Sequence, residues 1–172
     1  MTIIGGADGP TQIYLASSSS WFSLFGLIIV LLLLLPNFLY ARKHKQPQNR
    51  CKSWLINTLE QIGRYCCMLL MVFNVDIFEK GFASVQSLVV YVLGSGTLLL
   101  LYWVFWLVYC RKPSVFTAVM LAVLPTLLFL LCGLTLRRHL LTGFALLFGA
   151  AHIYITLVNA KAAREDEERT SE

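Results

Sequence analysis

The chain has 172 residues, 58% hydrophobic and only 13% charged, with a mean hydropathy of +0.70. Such a balance cannot coat a soluble globular surface, and the stretches left between apolar runs are too short for a soluble catalytic domain. The formal charge of +5 raises nucleic acid as a partner, but Lys and Arg flank hydrophobic runs rather than forming a patch with interleaved aromatics, so no nucleic-acid binding is expected.

Five apolar stretches are long enough to cross a bilayer, because about 20 helical residues rising about 1.5 Å each cover a hydrocarbon core of about 30 Å. The expected fold is all-α: a polytopic integral membrane protein, a bundle of about five transmembrane helices in contact with the lipid bilayer. Residues 1–20 form a polar segment whose only charged side chain is Asp8. No Lys or Arg precedes the first apolar run, so the basic start of a signal peptide is missing. The first span covers residues 21–40, with Pro36 near its end, where the helix meets the interface. A hydrophilic loop follows, from Arg42 to Lys52. The second span, residues 54–78, is unusual, since its first half holds Asn57, Glu60, Gln61 and Arg64. Spans three to five are expected over 88–110, 116–136 and 140–160, joined by short connections that favour antiparallel neighbours. The membrane domain therefore covers 21–160, and the charged cytoplasmic tail, 161–172, reads as a helical extension.

Orientation follows from the basic residues near span ends. With the N-terminus outside, the cytoplasmic side holds Arg42, Lys43, Lys45, Arg50, Lys52, Arg111, Lys112, Lys161, Arg164 and Arg169. The outer side then holds Lys80, Arg137 and Arg138. The chain is expected in the cell (plasma) membrane, multi-pass, N-terminus outside and C-terminus cytoplasmic, with Arg137-Arg138 as the discordant pair.

The polar second span is the best candidate site. Asn57, Glu60, Gln61, Arg64, Met68 and Met71 recur at helical spacing and predict one stripe. Glu60 and Arg64 are i, i+4 with the acid first, the favourable order for an ion pair. In lipid such a stripe must face other helices, a watery cavity or the headgroups. It reads either as a substrate or ion pathway, or as a structural pair at the cytoplasmic interface. If the pair is buried, Arg64→Leu is expected to harm accumulation of the protein more than Arg138→Leu, because it strands Glu60. Asn74 and Asp76 read as the helix's exit into water. Gly94-Ser95-Gly96-Thr97 supplies small residues for helix packing. Tyr102, Trp103, Phe105, Trp106 and Tyr109 read as an interfacial aromatic belt. Pro125 is expected to kink the fourth span.

His139 and His152 lie about 20 Å apart on one helix, so they cannot hold one haem together, and His152 reads as a satisfied core or interfacial histidine. Cys51, Cys66, Cys67, Cys110 and Cys132 make no CxxC and no metal-ligand spacing. They read as free thiols, with Cys51 and Cys110 placed where S-palmitoylation is chemically feasible. No catalytic triad, HExxH or phosphate-cradling loop can be assembled, so catalytic and metal residues are expected to be none, and a lipid-modifying enzyme is the weakest reading.

The first 20 residues carry a sharper motif. Thr2-Ile3-Ile4-Gly5-Gly6-Ala7-Asp8-Gly9-Pro10-Thr11-Gln12-Ile13-Tyr14-Leu15-Ala16-Ser17, with its GGADGPT core, closely resembles a segment of the beta subunit of sodium-translocating decarboxylases of the oxaloacetate decarboxylase type. Three glycines and a proline around one acid break a helix and expose backbone groups beside a carboxylate, parts from which transporters build cation sites. The resemblance implies a multi-span subunit that exports sodium as a carboxybiotin is decarboxylated, with Asp8 in the ion pathway and sodium as the ion. It covers only residues 2–17. Two functions are thus expected. The first is a small non-enzymatic integral membrane protein, an accessory or regulatory subunit with membrane-protein partner subunits and no cofactor. The alternative is a sodium-ion-translocating component using Asp8 and Glu60 as ligands.

Overall fold

A computed structural model describes residues 21–43, 49–75, 82 and 84–171. Five α-helices account for most of them: α1 (Leu24–Lys43), α2 (Trp54–Val72), α3 (Val85–Arg111), α4 (Val115–Thr135) and α5 (His139–Ser171). Among the described residues there is no strand, only an isolated bridge between Phe22 and Phe73. The all-α helical bundle is as expected. Four helices, α1, α3, α4 and α5, are long and apolar enough to cross a membrane, so the chain is a multi-pass membrane protein. Composition alone does not qualify α2, because Asn57, Glu60, Gln61 and Arg64 dilute its first half. Its place is set by packing instead: at one end Arg50 pairs with Asp166, and at the other Arg138 donates to Asn74. Helix α2 therefore runs antiparallel along α5 over its whole length.

The contacts α1–α2, α2–α5, α5–α4, α4–α3 and α3–α1 close a ring. A ring of five cannot alternate in direction throughout, and α1 and α3 are the parallel pair. Phe25 meets Tyr91 near their starts, and Tyr40 meets Trp106 and Tyr109 near their ends. Helices α2 and α3, consecutive in the chain, are not packed along each other, which departs from the expected pattern. The reason is an early stop. Helix α2 ends at Val72 rather than near residue 78, where the Ser23 amide donates to the Val72 carbonyl at 2.7 Å and the Asn74 amide to the Trp21 carbonyl at 2.9 Å. Helix α3 then packs on α1 rather than along α2.

Local chemistry sets the other helix ends. Ser84 and Ser87 exchange side-chain and backbone bonds in a capping box, as do Ser114 and Thr117, so α3 and α4 begin at Val85 and Val115. At the end of α4 the Arg138 amide returns to the Gly133 carbonyl and the Arg137 amide to that of Leu134, a Schellman stop. That geometry puts Arg137 at φ 57°, a region that glycine fills most easily. Helix α5 runs on through the charged tail to Ser171, which bears out the expected helical extension.

Small residues let the helices touch. A side chain at Gly63 would meet the Phe148 backbone at 2.9 Å, so α2 and α5 cross there at close range. Gly26 sits likewise against the Met71 carbonyl, and Gly149 against Thr126. Of the Gly94–Thr97 run, Gly94 packs on Leu131 and Ser95 is buried, but Gly96 faces open space. Cys51, Cys67 and Cys132 are buried, Cys110 is exposed, and none of the five cysteines is in a disulfide.

Candidate functional site

The close crossing at Gly63 determines what lies one turn away. Towards the basic end of the bundle, Glu60 on α2 faces His152 on α5, and His152 Nδ1 lies 2.9 Å from Glu60 Oε1. The Arg64 guanidinium, one turn along α2, donates to the same Oε1. Glu60 is only 5% exposed, so its charge is matched by two donors inside the bundle rather than by water. Phe148 stacks on the His152 ring with centroids 4.8 Å apart and fixes the plane of the imidazole.

Beside this cluster the ring of helices encloses a cavity of about 390 Å³ to which all five contribute. Arg64 and His152 line it; Glu60 does not. Its apolar walls include Val30 and Leu33 of α1 and Leu121, Pro125 and Phe129 of α4. Exposed Leu34 and Asn37 form part of its margin, so it opens to the surface of the bundle alongside α1.

A polar network joins α1 to α3 at the same level. Asn37 Nδ2 donates to the Tyr102 hydroxyl at 2.9 Å and to the Leu33 carbonyl at 3.3 Å, and the Tyr102 hydroxyl also reaches the Leu33 carbonyl at 3.3 Å. Pro36 has no amide proton, which deprives the Leu32 carbonyl of its helical donor. Trp103 Nε1 supplies one from α3, at 3.2 Å. Tyr102 and Trp103 are therefore inter-helix contacts, and Tyr102 is 2% exposed, where an interfacial belt was expected. Trp106 also lines the cavity, and its buried Nε1, next to the Tyr102 side chain, makes no well-formed hydrogen bond among the described residues.

The expected stripe on α2 divides. Glu60, Arg64, Met68 and Met71 face inward, with Arg64 and Met68 on the cavity and Met71 buried. Asn57 is structural: its amide donates to the Cys51 carbonyl at 2.9 Å and its Oδ1 accepts from Asn49. Gln61 is exposed and lines a shallow outer groove with Thr58 and Tyr65. Asn74 accepts from Arg138 rather than marking a bare exit to water. Asp8 and Asp76 lie outside the described residues.

Sequence reasoning missed two partners. His152 was read as a satisfied histidine without its acid, and Arg138 as a loop charge. Arg138 is in fact 5% exposed and donates to the Leu70 carbonyl at 2.9 Å. A signal for the first did exist: an acid among apolar residues calls for donors, and His152 is a polar side chain in the apolar part of α5. Among the described residues no three His, Cys, Asp or Glu side chains gather as a metal site. Comparison with protein-family models, curated proteins and solved structures finds no match.

Proposed function

We propose that this protein is a small non-enzymatic component of the cell membrane, an accessory or regulatory subunit that works by binding rather than by chemistry. One observation carries the reading. Glu60 Oε1 is already committed to both Arg64 and His152, which makes it a group that holds α2 to α5 and shapes a cavity wall. A carboxylate so engaged is poorly placed to shuttle protons or to strip water from a passing ion. The basic ends of α1, α3 and α5 lie together at one end of the bundle, which supports a cytoplasmic C-terminus and an outside N-terminus.

The competing reading, sodium translocation, rests on the resemblance of residues 2–17 and makes Asp8 and Glu60 ion ligands. Sodium uptake by proteoliposomes separates the two. The intact chain is expected to give no uptake above protein-free vesicles. Uptake by the intact chain that Asp8→Asn abolishes would overturn the binding reading in favour of the pump.

A further inference from the structure

The cavity combines a cationic face with apolar walls. The Arg64 side chain is 43% exposed and lines the cavity, whereas that of Glu60 is 7% exposed and lies behind it. The pair is neutral as a whole, yet Arg64 is its member that lines the cavity. Arg carries five N–H donors, and Glu60 Oε1 takes only part of that set.

Trp106 adds a second donor. Its indole N–H can only donate; buried in the cavity wall next to the Tyr102 side chain, it makes no well-formed hydrogen bond there. Leaving such a group unmatched costs about 1–3 kcal/mol, so an occupant bearing acceptor oxygens suits this wall. A quaternary ammonium suits it poorly. The Tyr40, Trp106 and Tyr109 rings pack tilted or edge-on at 5.1–5.9 Å, and the Arg64 charge on the same cavity repels a cation there. Leu33, Leu121, Pro125 and Phe129 form an apolar wall, while Asn37, Tyr102, His152 and Thr156 add further polar groups to the lining. The volume of about 390 Å³ falls within the range of about 300–1,000 Å³ usual for small-ligand sites. The opening beside Leu34 of α1, a face of exposed leucines, admits a ligand from the bilayer.

We propose that this cavity binds a single-chain anionic amphiphile, a carboxylate or phosphate head on one hydrocarbon chain, with the head between Arg64 and Trp106 and the chain against α1 and α4. The proposal rests on the binding reading above and supplies its ligand class.

The test uses the full chain in phosphatidylcholine nanodiscs with a photoactivatable dodecanoic acid. Labelled residues are mapped by mass spectrometry, with dodecanoate, dodecanol and inorganic phosphate as competitors. Label is expected on the α1 and α4 walls, displaced by dodecanoate about tenfold more effectively than by dodecanol, the worth of one charge-assisted hydrogen bond. Arg64→Gln and the cavity-filling Ala118→Trp should each lower labelling by a similar factor. Label spread over the outward face of α3, or dodecanol competing as well as dodecanoate, overturns the proposal. Inorganic phosphate competing as well as dodecanoate overturns it in favour of a small-anion site. The competition in the unaltered protein decides even if both variants misfold. Failure here without sodium uptake leaves the broader binding reading standing, whereas sodium uptake removes that reading.

Discussion

Two arginines at opposite ends of the interior exchange the importance that the sequence assigns them. From the sequence, loss of Arg64 is expected to be the more damaging, because it strands Glu60. Glu60 has a second partner in His152, and the Arg64 side chain is 43% exposed. Arg138, adjacent to Arg137 in a turn, is 5% exposed and ties the last turn of α2 to the start of α5 through Leu70 and Asn74. Removing a buried guanidinium leaves its acceptors in apolar surroundings, at a cost of about 2–3 kcal/mol. Arg138→Leu is therefore expected to lower the thermal midpoint in detergent more than Arg64→Leu. A larger loss for Arg64→Leu would restore the ranking read from sequence. The error has a local cause: neighbouring charges at a span end read as a solvated turn, and nothing in the sequence near Arg138 reveals that α2 stops early and delivers Asn74 to it.

At the scale of helices, closeness of approach decides which small residues matter. Gly63 lies against the Phe148 backbone, and backbone cannot swing aside as a side chain can. Gly63→Leu is expected to separate α2 from α5, break the Glu60–His152 contact and yield aggregated or proteolysed protein. Gly96→Leu, at a position where an added Cβ meets nothing within 4 Å, should express as the parent does, and gel filtration in detergent checks both. Equal behaviour of the two variants would argue against the α2–α5 crossing. The sequence drew attention to Gly94–Thr97 because small residues cluster there, while the tighter contact is made by a lone glycine between Ile62 and Arg64. The span positions, by contrast, were legible because an apolar run of the right length has few alternatives in a polypeptide. Their ends were less so, since the serine caps of α3 and α4 and the stop of α2 depend on single residues. Pro36 was legible as a tolerated interruption, but its acceptor being served by Trp103 of α3 was not, because that pairing joins residues 71 positions apart.

The molecule as a whole owes its form to a helix that hydropathy alone would leave aside. Four helices qualify as spans by composition, and the fifth joins them with Glu60 held by His152 of α5 inside the ring. Arg138 being buried also removes much of the discordance in the basic-residue count, leaving Arg137 as the exposed cation of the α4–α5 turn. If α2 crosses, a membrane-impermeant maleimide applied to intact cells should label Arg137→Cys and spare Lys52→Cys and Arg169→Cys until the membrane is opened. If α2 stays on one side, Arg137→Cys and Arg169→Cys exchange their behaviour, and the orientation proposed here is lost with it.

The pairing of α2 with α5 bears on how the chain is made. Ribosomes release α2 well before the strand of sequence that carries His152, so early in biosynthesis its acid has only Arg64 for company. Insertion of α2 is then expected to wait, sheltered at the translocon or lying shallow in the headgroups, until α5 emerges. Nascent chains truncated before α5 should be those that quality-control proteases destroy fastest.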